Sequence, residues 1–222
     1  MKQVRIRNAI SLAMNALIFV QVLGAVIWFF LREAADGASN MEVQGAACFI
    51  FFTVDSNVLA ALTCLLIIPF NLRSIRRGKD AIPKWALTCK LIGTVAVALT
   101  FAVVMLFLGP TMGYDRMFVD ASLPLHLICP LLAIGSFCFL ERGLFVTKKR
   151  LLLTVIPTVI YGTVYMLNVI FLNHWWDFYG FNIGGFWYIT YLLFPVFTYL
   201  LALGIRAVHN RFDKLPAKIG ES

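Results

Sequence analysis

Six long apolar runs, separated in turn by basic and by acidic, aromatic segments, restrict this chain more than any other feature. They cover residues 8–31, 45–70, 85–109, 123–140, 151–172 and 187–208. A bilayer core about 30 Å thick is crossed by roughly 20 apolar residues in helical form. Within it every backbone N–H and C=O needs a partner inside the segment, which a helix supplies and an open strand does not. The expected fold class is therefore all-α: a polytopic membrane protein, a six-transmembrane-helix bundle, with residues 1–222 forming one membrane domain. Composition agrees. Hydrophobic residues make up 61% of the 222 and mean hydropathy is +0.85, whereas soluble domains hold about 45–50% apolar residues.

The segments between the runs predict an orientation. Lys2, Arg5 and Arg7 precede the first run, and Arg73, Arg76, Arg77, Lys79 and Lys84 lie between the second and third. Arg142, Lys148, Lys149 and Arg150 follow the fourth, and Arg206, Arg211, Lys214 and Lys218 end the sixth or follow it. The alternate segments hold only Arg32 and Arg116, together with Glu33, Asp36, Glu42, Asp115, Asp120 and Asp177. Lys and Arg accumulate in cytoplasmic loops, so both termini are expected in the cytoplasm. The location is a cell membrane, the plasma membrane if the cell is bacterial. The first run exceeds the 7–15 residues of a signal-peptide core, which marks it as an uncleaved span. Trp175, Trp176, Phe178, Tyr179, Phe181, Trp187 and Tyr188 place the last outer loop along the membrane surface.

The net charge of +8 has this topological cause. No zinc-finger, phosphate-loop or dinucleotide pattern accompanies it, so nucleic acid is not an expected partner. Membrane lipids are; the oligomeric state is open. Cys48, Cys64, Cys89, Cys129 and Cys138 lie in apolar runs without CxxC spacing and read as buried free thiols. Neither a metal nor another cofactor is expected. Lys90 is expected to snorkel to the headgroups, Glu141 and Arg142 to mark a solvated helix end, and His174 and His209 to be solvated. Pro69 is placed at a helix end, and Pro157 and Pro195 inside spans.

One stretch breaks the apolar pattern: Thr53-Val54-Asp55-Ser56-Asn57, in the middle of the second run. An ionisable side chain at mid-bilayer costs about 2.5–3.5 kcal/mol on insertion scales. On a helix, Thr53, Ser56 and Asn57 share a face, while Asp55 points about 200° away from Thr53. The patch is a site or a helix-packing seam; Asp55 is a proton relay, a cation site, half of an ion pair or a protonated acid. His126, set among apolar residues at the start of the fourth run, is the one histidine expected inside a span. At about 1.5 Å per residue, Thr53 lies about 12 Å and His126 about 5 Å from the outer ends of their runs, so their depths overlap. A hydroxyl beside a histidine is a recognised nucleophile–base pair. Cys129, one turn on, is the competing neighbour of His126.

Phe52-Thr53-Val54-Asp55-Ser56-Asn57, and His126 followed by Pro130, resemble the androgen-induced and androgen-dependent integral membrane hydrolases and their six-span bacterial relatives. The resemblance implies six crossings and a threonine hydrolase acting on fatty-acid esters, with Thr53 as nucleophile and His126 as base. Asp55 departs from anything that can be mapped to a role in that family. The leading functional expectation is an intramembrane hydrolase of lipid-like esters. In it Asn57 orients His126 or the substrate carbonyl, and Asn57 or Ser56 donates to the oxyanion. The alternative is a transporter or lipid-handling protein in which Asp55 is the proton- or cation-coupling acid and the Thr53–Asn57 face lines a path. A scaffold subunit is the third class.

Overall fold

The computed structural model describes residues 1–31 and 45–213. Arg32, Glu33, Asp36 and Glu42, expected in the first outer loop, and Lys214 and Lys218 of the tail lie outside the described residues. Among the described residues all regular structure is helical. Five helices are long and apolar enough to cross a membrane: α1 (Lys2–Leu31), α2 (Phe52–Arg77), α3 (Lys84–Met112), α5 (Lys148–Phe171) and α6 (Trp187–Asp213). Between them α4 (Pro124–Leu140) is apolar but shorter than 18 residues.

Buried fractions locate the centre of the bundle. The apolar window of α3 is 67% buried, against 22–39% in the other four long helices. Its glycine explains one close approach: a Cβ on Gly93 would stand 3.0 Å from the Ala60 Cα and closer still to the Thr63 hydroxyl. Small residues let membrane helices meet in this way. By contrast, α5 and α6 expose Leu152, Ile156, Ile160, Leu192, Leu193, Val196 and Leu200. Such an apolar belt suits a lipid environment and not water.

Proline shapes the helices locally. Pro130 has no N–H for the His126 carbonyl, four residues back, and the turn widens into a π-helical segment, Pro124–Ile128. Pro110 does the same to Leu106, within the π segment Val104–Leu108 of α3. Pro69 lies inside α2, not at its end, because the helix runs on to Arg77 and closes with Gly78 at φ +64°. The second run also starts differently from expectation. Gly45–Ile50 forms a 3-10 helix, Phe51 is extended, and α2 begins at Phe52. Thr53 and Asp55 therefore stand in the first turn of α2. There the aligned backbone dipoles favour a carboxylate, which lowers the cost of placing Asp55 in an apolar run.

The end of the bundle that carries the basic segments holds several buried polar groups. Arg7 pairs with Asp80, and Asn8 and Asn71 join α1 to α2. Lys90 does not snorkel: it is fully buried, donating to Asn15 Oδ1 at 2.7 Å and to Cys64 Sγ at 2.7 Å. Asn15 in turn donates to Glu141 Oε1 at 3.1 Å, which Ser11 also approaches at 3.4 Å. Glu141 is fully buried as well, not solvated, and its Oε2 has no partner among the described residues. The cause is geometric. A lysine chain pointing toward the bundle axis meets a carboxylate relayed through an amide before it meets the headgroups. His209 is likewise buried, with its ring nitrogens 2.8 Å from the Phe137 carbonyl and 2.9 Å from that of Leu144. His174 is exposed.

Candidate functional site

The first turns of α2 carry the polar stretch and present its two faces to different neighbours. Ser56, fully buried, bonds the Thr100 hydroxyl of α3 at 2.7 Å and approaches the Thr53 carbonyl at 3.2 Å. Asn57, also fully buried, donates both amide hydrogens, to Thr53 O at 2.8 Å and to Leu125 O at 3.0 Å. Its Oδ1 has no partner among the described residues. Asn57 thus ties the turn that holds Thr53 to the turn of α4 that holds His126. Asp55 points elsewhere, into a cleft against α5.

Thr53 lies on the wall of a cavity formed by α2, α3, α5, α6 and the loop 172–186. Its lining surface is almost entirely apolar or aromatic, with Leu99, Val103, Met166 and Phe194 sharing it with Thr53 and Tyr161. The space between atoms, counted to the open side, is about 650 Å³, but the passage is narrow: a water-sized sphere has about 60 Å³ to move in. At its polar end the Tyr179 hydroxyl accepts the Phe52 N–H at 3.2 Å, and Tyr179 shares the lining with Thr53 and Tyr161. Tyr161 donates to Ile50 O at 2.8 Å. Burial pushes the Tyr179 phenol up to about 12, so near neutral pH it is an uncharged donor and acceptor.

The loop 172–186 is built to hold Tyr179 there. Asp177 accepts from the Phe181 and Asn182 backbone N–H groups at 2.9 and 3.0 Å and from the Tyr165 hydroxyl at 2.7 Å. Tyr165 Oη accepts the Tyr179 N–H at 3.1 Å. Phe178 packs edge-on against Phe51 and Tyr165, both at 4.9 Å between centroids. This aromatic layer closes the bundle above α2.

Backbone chemistry at Thr53 matters too. Val54 and Asp55 donate to Phe51 O, and Phe52 to Tyr179. The Thr53 N–H makes no hydrogen bond among the described residues, as expected of one of the four unpaired donors at a helix start. His126 is half-buried, with Nδ1 2.6 Å from the Met117 carbonyl. A carbonyl only accepts, so Nδ1 carries the hydrogen and the lone pair of the neutral ring is on Nε2. His126 lines neither the Thr53 cavity nor the Asp55 cleft, and Asn57 is its hydrogen-bonded link to the Thr53 turn. Cys129, the alternative neighbour, donates instead to Gln21 at 3.3 Å.

Sequence reasoning placed Thr53, Ser56 and Asn57 on one face and Asp55 on another; in the structure Thr53 lines the cavity and Asp55 the cleft, while Ser56 bonds Thr100 and also borders the Asp55 cleft. It missed Tyr161 and Tyr179 as neighbours of Thr53, because nothing local joins a loop tyrosine to α2. It also missed the Lys90–Asn15–Glu141 cluster, although a lysine inside a span was the available signal. No group of three or more His, Cys, Asp or Glu able to hold a metal occurs among the described residues. No family model matches the chain, and no curated protein or solved structure matches it.

Proposed function

We propose that the chain crosses the membrane six times with both termini cytoplasmic and hydrolyses lipid-like esters at Thr53. The six crossings rest on α4 as a short span, its 26 Å or so near the lower limit for crossing. The orientation rests on the gathering of basic residues at one end of the bundle. One observation carries the chemistry: Thr53 combines a hydroxyl on the wall of an apolar cavity with a helix-start backbone N–H that has no partner among the described residues. Nucleophilic acyl transfer needs both. The hydroxyl oxygen attacks the ester carbonyl, and a donor near the same atom stabilises the charge that develops on the carbonyl oxygen.

In this reading an acyl chain enters laterally and fills the narrow cavity, and the ester lies at its polar end under Tyr179. For His126 Nε2 to take the Thr53 proton and return it to the departing alkoxide, the α4 turn must first bring the ring to the Thr53 cavity, whose wall it does not form here. Water then cleaves the acyl-threonine, its proton passing through the same histidine. Asn57 supports the step by coupling the two turns.

The test is turnover of a panel of fatty-acyl esters by purified protein. Thr53→Ala and His126→Ala are expected to fall to background with unchanged melting, and Asp55→Asn to keep most activity. Absence of turnover across the panel, or full activity in Thr53→Ala, would overturn the reading. The second reading, a transporter or lipid-handling protein that uses Asp55, is favoured by one feature: Asp55 borders a cleft that Thr53 does not line, with Phe52 and Tyr161 shared between that cleft and the Thr53 cavity.

A further inference from the structure

The cleft around Asp55 lies between α2 and α5 and has about 370 Å³ open to a water-sized sphere. That falls within the 300–1,000 Å³ or so of small-molecule sites. Its chemistry is unequal along its length. Asp55 stands with Phe49, Tyr161 and Trp175 toward the loop 172–186, while Leu59 and Pro157, one to two turns deeper, leave only hydrocarbon.

The Asp55 carboxylate, half-buried, makes neither an ion pair nor a hydrogen bond among the described residues, and none of the described residues that line the cleft is Lys, Arg or His. The field at the start of α2 explains why a carboxylate is tolerated there. It does not explain an open cleft walled by aromatic rings. An ammonium is held by a carboxylate through charge and by aromatic rings through their quadrupoles, and Asp55 shares this cleft with Phe49, Phe52, Tyr161 and Trp175. The aliphatic floor suits a hydrocarbon tail. Without a basic group, a ligand carrying a phosphate or a carboxylate would bring a second charge into the cleft unpaired, which is costly in such surroundings.

We propose that this cleft binds a cationic amphiphile, a protonated amine on a single hydrocarbon chain, with the ammonium on Asp55 and the tail along Leu59 and Pro157. The cleft shares Phe52 and Tyr161 with the Thr53 cavity, but Thr53 does not line it, and the proposal does not depend on hydrolysis at Thr53.

The experiment uses the full chain in phosphatidylcholine nanodiscs and a dodecylamine carrying a photoreactive diazirine in its chain. Crosslinks are mapped by mass spectrometry, and unlabelled dodecylamine serves as competitor. Saturable labelling of segments 49–59 and 157–175 is expected, with no competition from dodecanol, dodecanoate or phosphatidylethanolamine. Asp55→Asn should raise the half-saturating amine concentration at least tenfold, while Asp55→Glu and Thr53→Ala leave it within about threefold. Equal competition by dodecanol, or unchanged labelling in a folded Asp55→Asn protein, would overturn the proposal. If Asp55→Asn does not fold, Trp175→Leu decides: a loss of threefold or more supports the site, and no loss refutes it. Loss of ester turnover in Thr53→Ala without loss of amine labelling separates this claim from the hydrolase.

Discussion

Replacing Lys90 by Met leaves Glu141 buried without the cation that its amide relay serves. Both side chains are fully buried, and Asn15 presents its carbonyl to the ammonium and its N–H to the carboxylate. Removing one partner of a buried charge pair costs about 3–5 kcal/mol, whereas replacing both by neutral groups is often close to neutral. Lys90→Met and Glu141→Gln should therefore each lose about 3 kcal/mol or more. The double variant should lose no more than either single change, a coupling of at least about 3 kcal/mol, at the upper range for interacting neighbours. By the scaling for domains of this size, 3 kcal/mol lowers the melting temperature by roughly 6–12 °C. Asn15→Leu, which removes the relay and keeps both charges, should also destabilise. Unfolding followed by tryptophan fluorescence in mixed micelles reads all four proteins. Additive losses in the double variant, or Lys90→Met without effect, would refute the reasoning and return Lys90 to the headgroup region.

Gly93→Ala should destabilise by about 1–3 kcal/mol, since its methyl meets the Ala60 backbone, and Thr63→Ala should restore only part of the loss in the same melting assay. Asp177→Ala should free its loop from two backbone N–H groups and Tyr165, visible as faster proteolysis between residues 172 and 186 and a loss of about 1–3 kcal/mol. Asn57→Ala should cost a similar amount and, if the enzyme reading holds, lower kcat more than it raises KM, measured on the best ester of the panel.

The helices were largely legible because hydrophobic run length is a local property. Run limits and helix limits differ most at the second helix. There the run begins at residue 45 but the helix at Phe52, because Phe51 adopts an extended backbone that no residue type nearby announces. Polar partners were less legible. The two-face split of Thr53-Val54-Asp55-Ser56-Asn57 follows from helical periodicity alone, yet which helix each face meets does not. Asn57 finds a carbonyl 68 residues away, and Phe52 finds a tyrosine 127 residues away. Lys90 and Glu141 were misread for a related reason. Each was judged against the bilayer, while the side chains that satisfy them come from α1, far off in sequence. Small residues such as Gly93 hinted at close packing without naming Ala60.

The central claim is that Thr53 forms a covalent acyl intermediate, and trapping that intermediate is the most direct measurement. Protein exposed to a long-chain alkyl fluorophosphonate would be digested and the modified residue located by mass spectrometry. The expected result is one adduct on Thr53, absent in Thr53→Ala and slowed at least a hundredfold in His126→Ala, in line with roughly 10²–10⁴-fold for a general base. An adduct elsewhere, or none on Thr53 in protein that hydrolyses esters, would contradict the account.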